Sequence, residues 1–226
     1  MRNDELIIAL PKGKLGEDAL DIFQKIGLPA WEIQEDSRKL SYCFNDQGIK
    51  YLICRPTDIP TYVEYGAADI GIVGKDTLEE SRADVFEICD LGYGYCKFVV
   101  AIPKDVLEKI EKKHGAFNLK YFTNTRVATK FPRITKNFFN SKGIQVEVLK
   151  LHGNVELAPA VGLSEMIVDL VSTGRTLKEN NLVAVEEISE ITARLIANRV
   201  SYRIKNSWIQ EIVTKCNQIV DLRGKQ

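Results

Sequence analysis

The chain is short of the residues that mark several protein classes. It has two histidines, His114 and His152, in 226 residues, so a histidine-based triad or zinc site has little to build on. Its five cysteines, Cys43, Cys54, Cys89, Cys96 and Cys216, are odd in number and never spaced C-x-x-C. That excludes a disulfide framework or a zinc finger and favours a reducing compartment. Net charge is absent too, because 31 Lys and Arg offset 31 Asp and Glu. No global field therefore draws the chain to nucleic acid or an anionic membrane, and neither is expected as a partner. No apolar run approaches the roughly 20 residues that span a bilayer. Met1 to Leu10 carries Asp4 and Glu5 ahead of a short apolar run, too acidic for a signal peptide, so a cytoplasmic location is expected. Gly71-Ile-Val-Gly74-Lys75-Asp76 has the wrong glycine spacing for a Walker A loop and Asp where Ser or Thr must meet Mg²⁺. Gly92-Tyr-Gly94 lacks the third glycine of a dinucleotide fingerprint.

What is present is an ordinary globular composition, 45% hydrophobic and 27% charged, long enough for one large domain or two small ones. Short apolar runs recur, each followed by a Gly or Pro turn and a helix-period stretch. This is the alternation of an α/β fold with largely parallel sheets. Strands are predicted at Leu6 to Leu10, Leu40 to Phe44, Lys50 to Cys54, Asp69 to Val73 and Phe98 to Ile102. Helices are predicted from Gly16 to Ile26 and from Ile59 to Tyr65. After the polar stretch Lys104 to Lys120, which reads as a solvated helix and loop near a domain junction, the alternation restarts, with strands at Arg126 to Thr129, Gln145 to Leu149 and Met166 to Leu170. Helices follow at Pro132 to Ser141 and Thr176 to Asn180. Leu182 to Ile196 reads as one long strand returning to the first half, and Trp208 to Val220 as a closing amphipathic helix. The expectation is two α/β domains, residues 1–96 with 190–226 and residues 97–189.

Three segments carry candidate chemistry. In Asp169-Leu-Val-Ser172-Thr173-Gly174-Arg175-Thr176 a strand delivers a carboxylate, and the turn adds hydroxyls, open backbone N–H groups and a guanidinium at a helix start. Oriented N–H groups suit phosphate, and an acceptor-only carboxylate suits paired sugar hydroxyls, so the segment fits a ribose 5-phosphate. A plain capped helix is the competing reading. Pro11-Lys12-Gly13-Lys14 follows the first strand, where parallel sheets present ligand loops; a solvated turn fits equally. Arg55 in Arg55-Pro-Thr-Asp-Ile-Pro60 suits a pyrophosphate, since a guanidinium meets phosphate oxygens in pairs. Arg38 is a further candidate, and surface ion pairs are the alternative for both. Asp69 to Leu78 echoes Asp169 to Leu177, as acidic residue, strand, Gly, base and Thr-Leu, by chance or duplication. Either way each reads as a glycine turn feeding an anion-binding helix start. His152 reads as structural, Glu156 as a supporting acid, and Tyr93, Tyr95 and Phe98 as core or hinge packing.

Taken together, Ala9-Leu-Pro-Lys-Gly-Lys-Leu15, Arg55 to Gly66, Ala68 to Asp76, Glu156-Leu-Ala-Pro159 and Asp169-Leu-Val-Ser-Thr-Gly174 resemble the ATP phosphoribosyltransferases that open histidine biosynthesis. The resemblance implies two α/β domains around a cleft, like type II periplasmic binding proteins. It implies an enzyme that joins ATP to phosphoribosyl pyrophosphate, with Mg²⁺ on the polyphosphates and ligands for that ion left unassigned. By position, Asp169 and the loop Ser172, Thr173, Gly174, Arg175 and Thr176 would hold ribose and 5-phosphate, with Glu156 nearby. Lys12, Arg38 and Arg55 would face pyrophosphate or triphosphate, with Gly13 and Lys14 beside them. Asp69, Gly71 and Gly74 would shape the opposite wall. Many relatives have Arg where this chain has Lys14, which keeps the charge and loses the fork. Long-form relatives carry a further histidine-binding domain, whereas only Asp221 to Gln226 follows the last predicted helix, as in the short form. Short-form relatives assemble as a hetero-octamer with a regulatory subunit similar to histidyl-tRNA synthetase, around a homodimer core. A non-catalytic bilobal sensor for a phosphorylated small molecule is the rival reading, because one scaffold can host both.

Overall fold

The computed structural model describes residues 5–33 and 38–223. Its chain divides into two compact units, Met1–Tyr95 with Thr192–Gln226, and Cys96–Ile191.

In the first unit the elements are β1 (Leu6–Pro11), α1 (Lys14–Lys25), β2 (Ser41–Phe44), β3 (Ile49–Cys54), α2 (Ile59–Glu64), β4 (Ile70–Gly74), α3 (Lys75–Ser81) and β5 (Phe86–Asp90). The second unit holds β6 (Cys96–Pro103), α4 (Lys104–His114), β7 (Thr125–Thr129), α5 (Pro132–Ser141), β8 (Val146–Lys150), α6 (Leu157–Ala160), β9 (Met166–Val171), α7 (Arg175–Glu179) and β10 (Leu182–Ile191). The chain then returns to the first unit with β11 (Ala193–Ala197), α8 (Arg199–Ile204) and α9 (Asn206–Arg223).

The first sheet has the order β2-β3-β1-β4-β11-β5 and the second β10-β6-β9-β7-β8. All six residues of β1 are buried, as a strand covered on both faces requires. Leu6, Ile8 and Leu10 join one core with Ile22 and Phe23 of α1 and Ile209 and Ile212 of α9. Ile7 and Ala9 point the other way, onto Ile59 and Val63 of α2. The second unit repeats the device, with Phe98, Val100 and Ile102 packed with Ile134 and Phe139 of α5. Val99 and Ala101 meet Ala158 and Leu177 on the opposite face.

The sheets are less parallel than the alternation suggests. β1 pairs in parallel with β3 and β4, and β7 with β8 and β9. The pairs β2–β3, β4–β11, β5–β11, β6–β9 and β6–β10 are antiparallel. The strand expected from Leu182 to Ile196 is two, separated at Thr192, one in each sheet. A β-branched run keeps its strand character across the break, so its periodicity carries no mark of the change of sheet. Strand β5 and helices α6 and α8 have no counterpart among the expected elements. No helix among the described residues is long and apolar enough to cross a membrane.

Candidate functional site

In the second unit the parallel strands β7, β8 and β9 end at one edge, with Thr129 paired to both Lys150 and Val168. Asp169 follows Val168 on β9, half-buried at that edge. Beyond β9 the chain turns through Ser172 and Thr173 to Gly174, whose φ of 75° lies in the left-handed region that glycine enters freely. A pocket of about 240 Å³ results, lined by Glu156 and the run Asp169 to Leu177. The structure thus brings together Asp169, Ser172, Thr173, Gly174, Arg175, Thr176 and Glu156.

Within this pocket the groups differ in freedom. Ser172, Thr173 and Thr176 are exposed. The Arg175 N–H donates only weakly, at 3.5 Å, to the Thr173 hydroxyl, so the turn retains donors for an anion. The Arg175 guanidinium is held by Glu179 one helical turn on, at 2.7 Å, which leaves hydroxyls and N–H groups as the main lining. Burial raises the pKa of Asp169; the Leu170 N–H opposes the rise, Glu156 adds to it, and Lys130 opposes it. Lys130, a cation close enough to act on Asp169, is one the sequence reading did not single out. It directly follows β7 and precedes the Phe131-Pro132 helix start. A base immediately after a short strand, the same signal that singled out Lys12, was available to find it.

In the first unit the parallel register pairs Pro11 with Cys54, so Lys12 and Arg55, each one residue further, emerge together. The Lys12 N–H donates to the Cys54 carbonyl at 3.0 Å. Both side chains are exposed and make no ion pair among the described residues. Arg38 lies outside β2, which runs antiparallel to β3 with Ser41 opposite Leu52; that register carries it to the same end as Arg55. Gly13 has φ 83°, and a side chain there would meet nothing within 4 Å, so its backbone faces open space. Lys14 is different, because Asp18 binds it at 2.9 Å and raises its pKa.

The wall assigned to Asp69, Gly71 and Gly74 needs correction. Asp69 is 6% exposed, and its oxygens accept from the Ile7 N–H at 2.7 Å, the Ser201 hydroxyl at 2.6 Å and Lys205 at 2.6 Å. Its acceptor capacity is consumed inside the unit. Gly71 is buried where a Cβ would stand 2.8 Å from Ile59 and Val63, so its smallness serves the packing of α2 on β4. At Gly74 the space of a Cβ is taken by the Asp76 carboxylate, and Lys75 is bound to Glu87 at 2.5 Å. The second anion loop is therefore filled by the chain's own acid. Nor is the echo structural, since Asp69 precedes β4 whereas Asp169 lies inside β9. His152 is exposed, which rules out a packing role. Tyr93, Tyr95 and Phe98 do not form one cluster: Tyr93 and Phe98 are buried in different cores, and Tyr95 is 66% exposed.

Two mixed α/β units with the chain crossing twice place the protein in the fold class of the type II periplasmic binding proteins. Consistent with that, a periplasmic sulfonate-binding protein, SsuA, from Methylobacillus flagellatus has a TM-score of 0.58 at 16% identity, covering 95% of this chain and 68% of its own. The ATP phosphoribosyl transferase (HisG:HisZ) complex from Thermotoga maritima matches with a TM-score of 0.76 and 35% identity, over 96% of this chain and 98% of that one. The family model for HisG, ATP phosphoribosyltransferase, matches residues 55–218. An ATP phosphoribosyltransferase of Moorella thermoacetica is 58% identical over 221 residues, 98% of this chain and 96% of its own length. The chain belongs to the ATP phosphoribosyltransferase family.

Proposed function

We propose that the chain condenses ATP with phosphoribosyl pyrophosphate, giving N1-(5-phosphoribosyl)-ATP and pyrophosphate, the first step of histidine biosynthesis. The observation that carries this reading is the pocket in which the half-buried Asp169 borders a hydroxyl- and N–H-lined turn. The turn from Ser172 to Thr176 holds the 5-phosphate, and Asp169 accepts from the ribose hydroxyls, with Lys130 and Glu156 setting the local charge. Lys12, Arg55 and Arg38 take the polyphosphate oxygens, and the open backbone of Gly13 lets those oxygens come close.

In the reaction the N1–C1′ bond forms as the C1′–O bond to pyrophosphate breaks, and pyrophosphate leaves with the bonding pair. The transition state resembles an oxocarbenium ion, so fixed substrates and cations on the leaving group matter more than a nucleophilic side chain. Removing one such cation is expected to cost about 100-fold in rate. This chemistry has no need of histidine. Among the described residues no three His, Cys, Asp or Glu converge on a common point. Mg²⁺ therefore fits best as part of the polyphosphate substrate, where it neutralises charge, with Asp169 and Glu156 the nearest carboxylates of the pocket.

The Thermotoga maritima relative is solved as a HisG:HisZ complex, which supports a regulatory partner here as well. We extend that to a hetero-octamer on a homodimer core, in the cytoplasm. Mixing the chain with ATP, phosphoribosyl pyrophosphate and Mg²⁺, with and without such a partner, tests the reading by mass detection of phosphoribosyl-ATP. Product that requires both substrates supports it. Tight binding of the sugar donor without turnover, even with the partner present, would instead establish a non-catalytic binding module.

A further inference from the structure

The loop that carries Lys12 is pinned on both sides, and the second pin comes from an unexpected place. On entry, the Lys12 N–H is held by the Cys54 carbonyl at 3.0 Å. On exit, the Tyr93 hydroxyl donates to the carbonyl of Leu15, in the first turn of α1, at 2.9 Å. Tyr93 is 6% exposed, so this buried ring commits its hydroxyl to the Leu15 carbonyl. Between the two pins lies Gly13, with φ 83° and nothing within 4 Å of where a side chain would stand; its carbonyl accepts from the Gly16 and Glu17 N–H groups at 2.8 and 3.2 Å and so ties the loop to the first turn of α1.

Tyr93 belongs to the segment that leads the chain out of the first unit at Tyr95. Its carbonyl accepts from the Ala193 N–H at 2.9 Å, and the Leu91 N–H donates to the Ala193 carbonyl at 3.0 Å. Asp90 ties the same two stretches, since one carboxylate oxygen accepts from the Gly92 N–H at 3.0 Å and the Thr192 hydroxyl at 2.9 Å. Its other oxygen binds Arg194 at 2.9 Å. The outgoing and returning strands are thus knotted, and Tyr93 is where the knot reaches α1. Gly94 reinforces the seam, because a Cβ on it would stand 2.8 Å from the Leu15 side chain.

We infer that Tyr93 is a positioning residue for phosphoribosyl transfer, fixing the first turn of α1 and so the aim of Lys12 at the leaving pyrophosphate. The inference rests on the proposed function, and it adds a physical link between the strand crossing and the loop that meets substrate. A hydroxyl that only stabilised the fold would lower the melting temperature and leave the chemical step alone. One that aims Lys12 acts through Lys12, and its effect vanishes when Lys12 is removed.

The test is a double-mutant cycle on the full chain with its regulatory partner, using phosphoribosyl pyrophosphate, ATP and Mg²⁺. Tyr93→Phe keeps the ring and loses the hydroxyl, and is expected to lower kcat/KM for phosphoribosyl pyrophosphate by about 3- to 10-fold, the worth of one hydrogen bond. Lys12→Ala is expected to lose about 100-fold, and adding Tyr93→Phe to it should cost nothing more. Tyr93→Phe kinetics equal to those of the unmodified chain would overturn the inference, as would losses that multiply in the double variant. Absence of turnover in the unmodified chain would instead refute the transferase reading itself, so the two failures are distinguishable.

Discussion

At Asp169 the end of β9 places a carboxylate where ionisation is costly. Burial raises its pKa, and Glu156 adds to the rise against the Leu170 N–H and Lys130. An acid that titrates near 3.8 when unfolded and higher when folded binds more protons in the native state across that window. Stability therefore falls as pH rises through it and levels off above the folded pKa. Asp169→Asn should remove this loss, so its melting temperature is expected to exceed that of the unmodified chain at neutral pH and to approach it near pH 4, as calorimetry across that range would reveal. The same substitution is expected to cost about 100-fold in transfer rate, because an amide replaces an acceptor for ribose hydroxyls. If the variant is no more stable at neutral pH, the burial argument fails even if activity is lost. From the sequence Asp169 is visible as a strand-end acid, since that requires only its neighbours. Lys130 carries the same local signal as Lys12, a base directly after a short strand, but that it acts on Asp169 depends on β7 lying beside β9.

At the level of elements, two strand–turn–helix segments with similar sequences have different outcomes. In one, Gly174 turns left-handed and leaves a lined pocket; in the other, Gly74 has φ −68° and its helix start is filled by Asp76. The pattern acid, strand, Gly, base is legible in both. Which start stays open depends on one carboxylate, Asp76, turning back on its own helix. Gly71 makes the same point about packing. Gly71→Ala is expected to destabilise the chain by about 1–3 kcal/mol through overpacking of α2 on β4, measured as a lower urea midpoint, while the KM for phosphoribosyl pyrophosphate stays unchanged. A rise in KM without loss of stability would return Gly71 to the substrate site.

Across the whole molecule, the first unit is built from two stretches of chain that must be held together after a long excursion. Lys205 bridges them, donating to the Glu5 carbonyl at 2.6 Å and to Asp69 at 2.6 Å, with both charged side chains almost fully buried. Removing one member of such a pair strands the other in a medium of low polarity. Lys205→Met should therefore cost about 3–5 kcal/mol of unfolding free energy, read from denaturant titration; a loss below 1 kcal/mol would mean that water reaches Asp69. The sequence by itself determined the alternating α/β elements, the strand ends that carry Lys12, Arg55 and Asp169, and the family, because each depends on residues close together along the chain. Only the tertiary structure decided that Asp69 is spent on Lys205 and Ser201, that Lys75 is bound to Glu87, that Lys130 acts on Asp169 and that the Tyr93 hydroxyl reaches the Leu15 carbonyl. Those partners lie 12 to 136 residues apart along the chain, beyond the reach of any local rule: they meet through sheet order and burial, and burial is set by the whole fold at once.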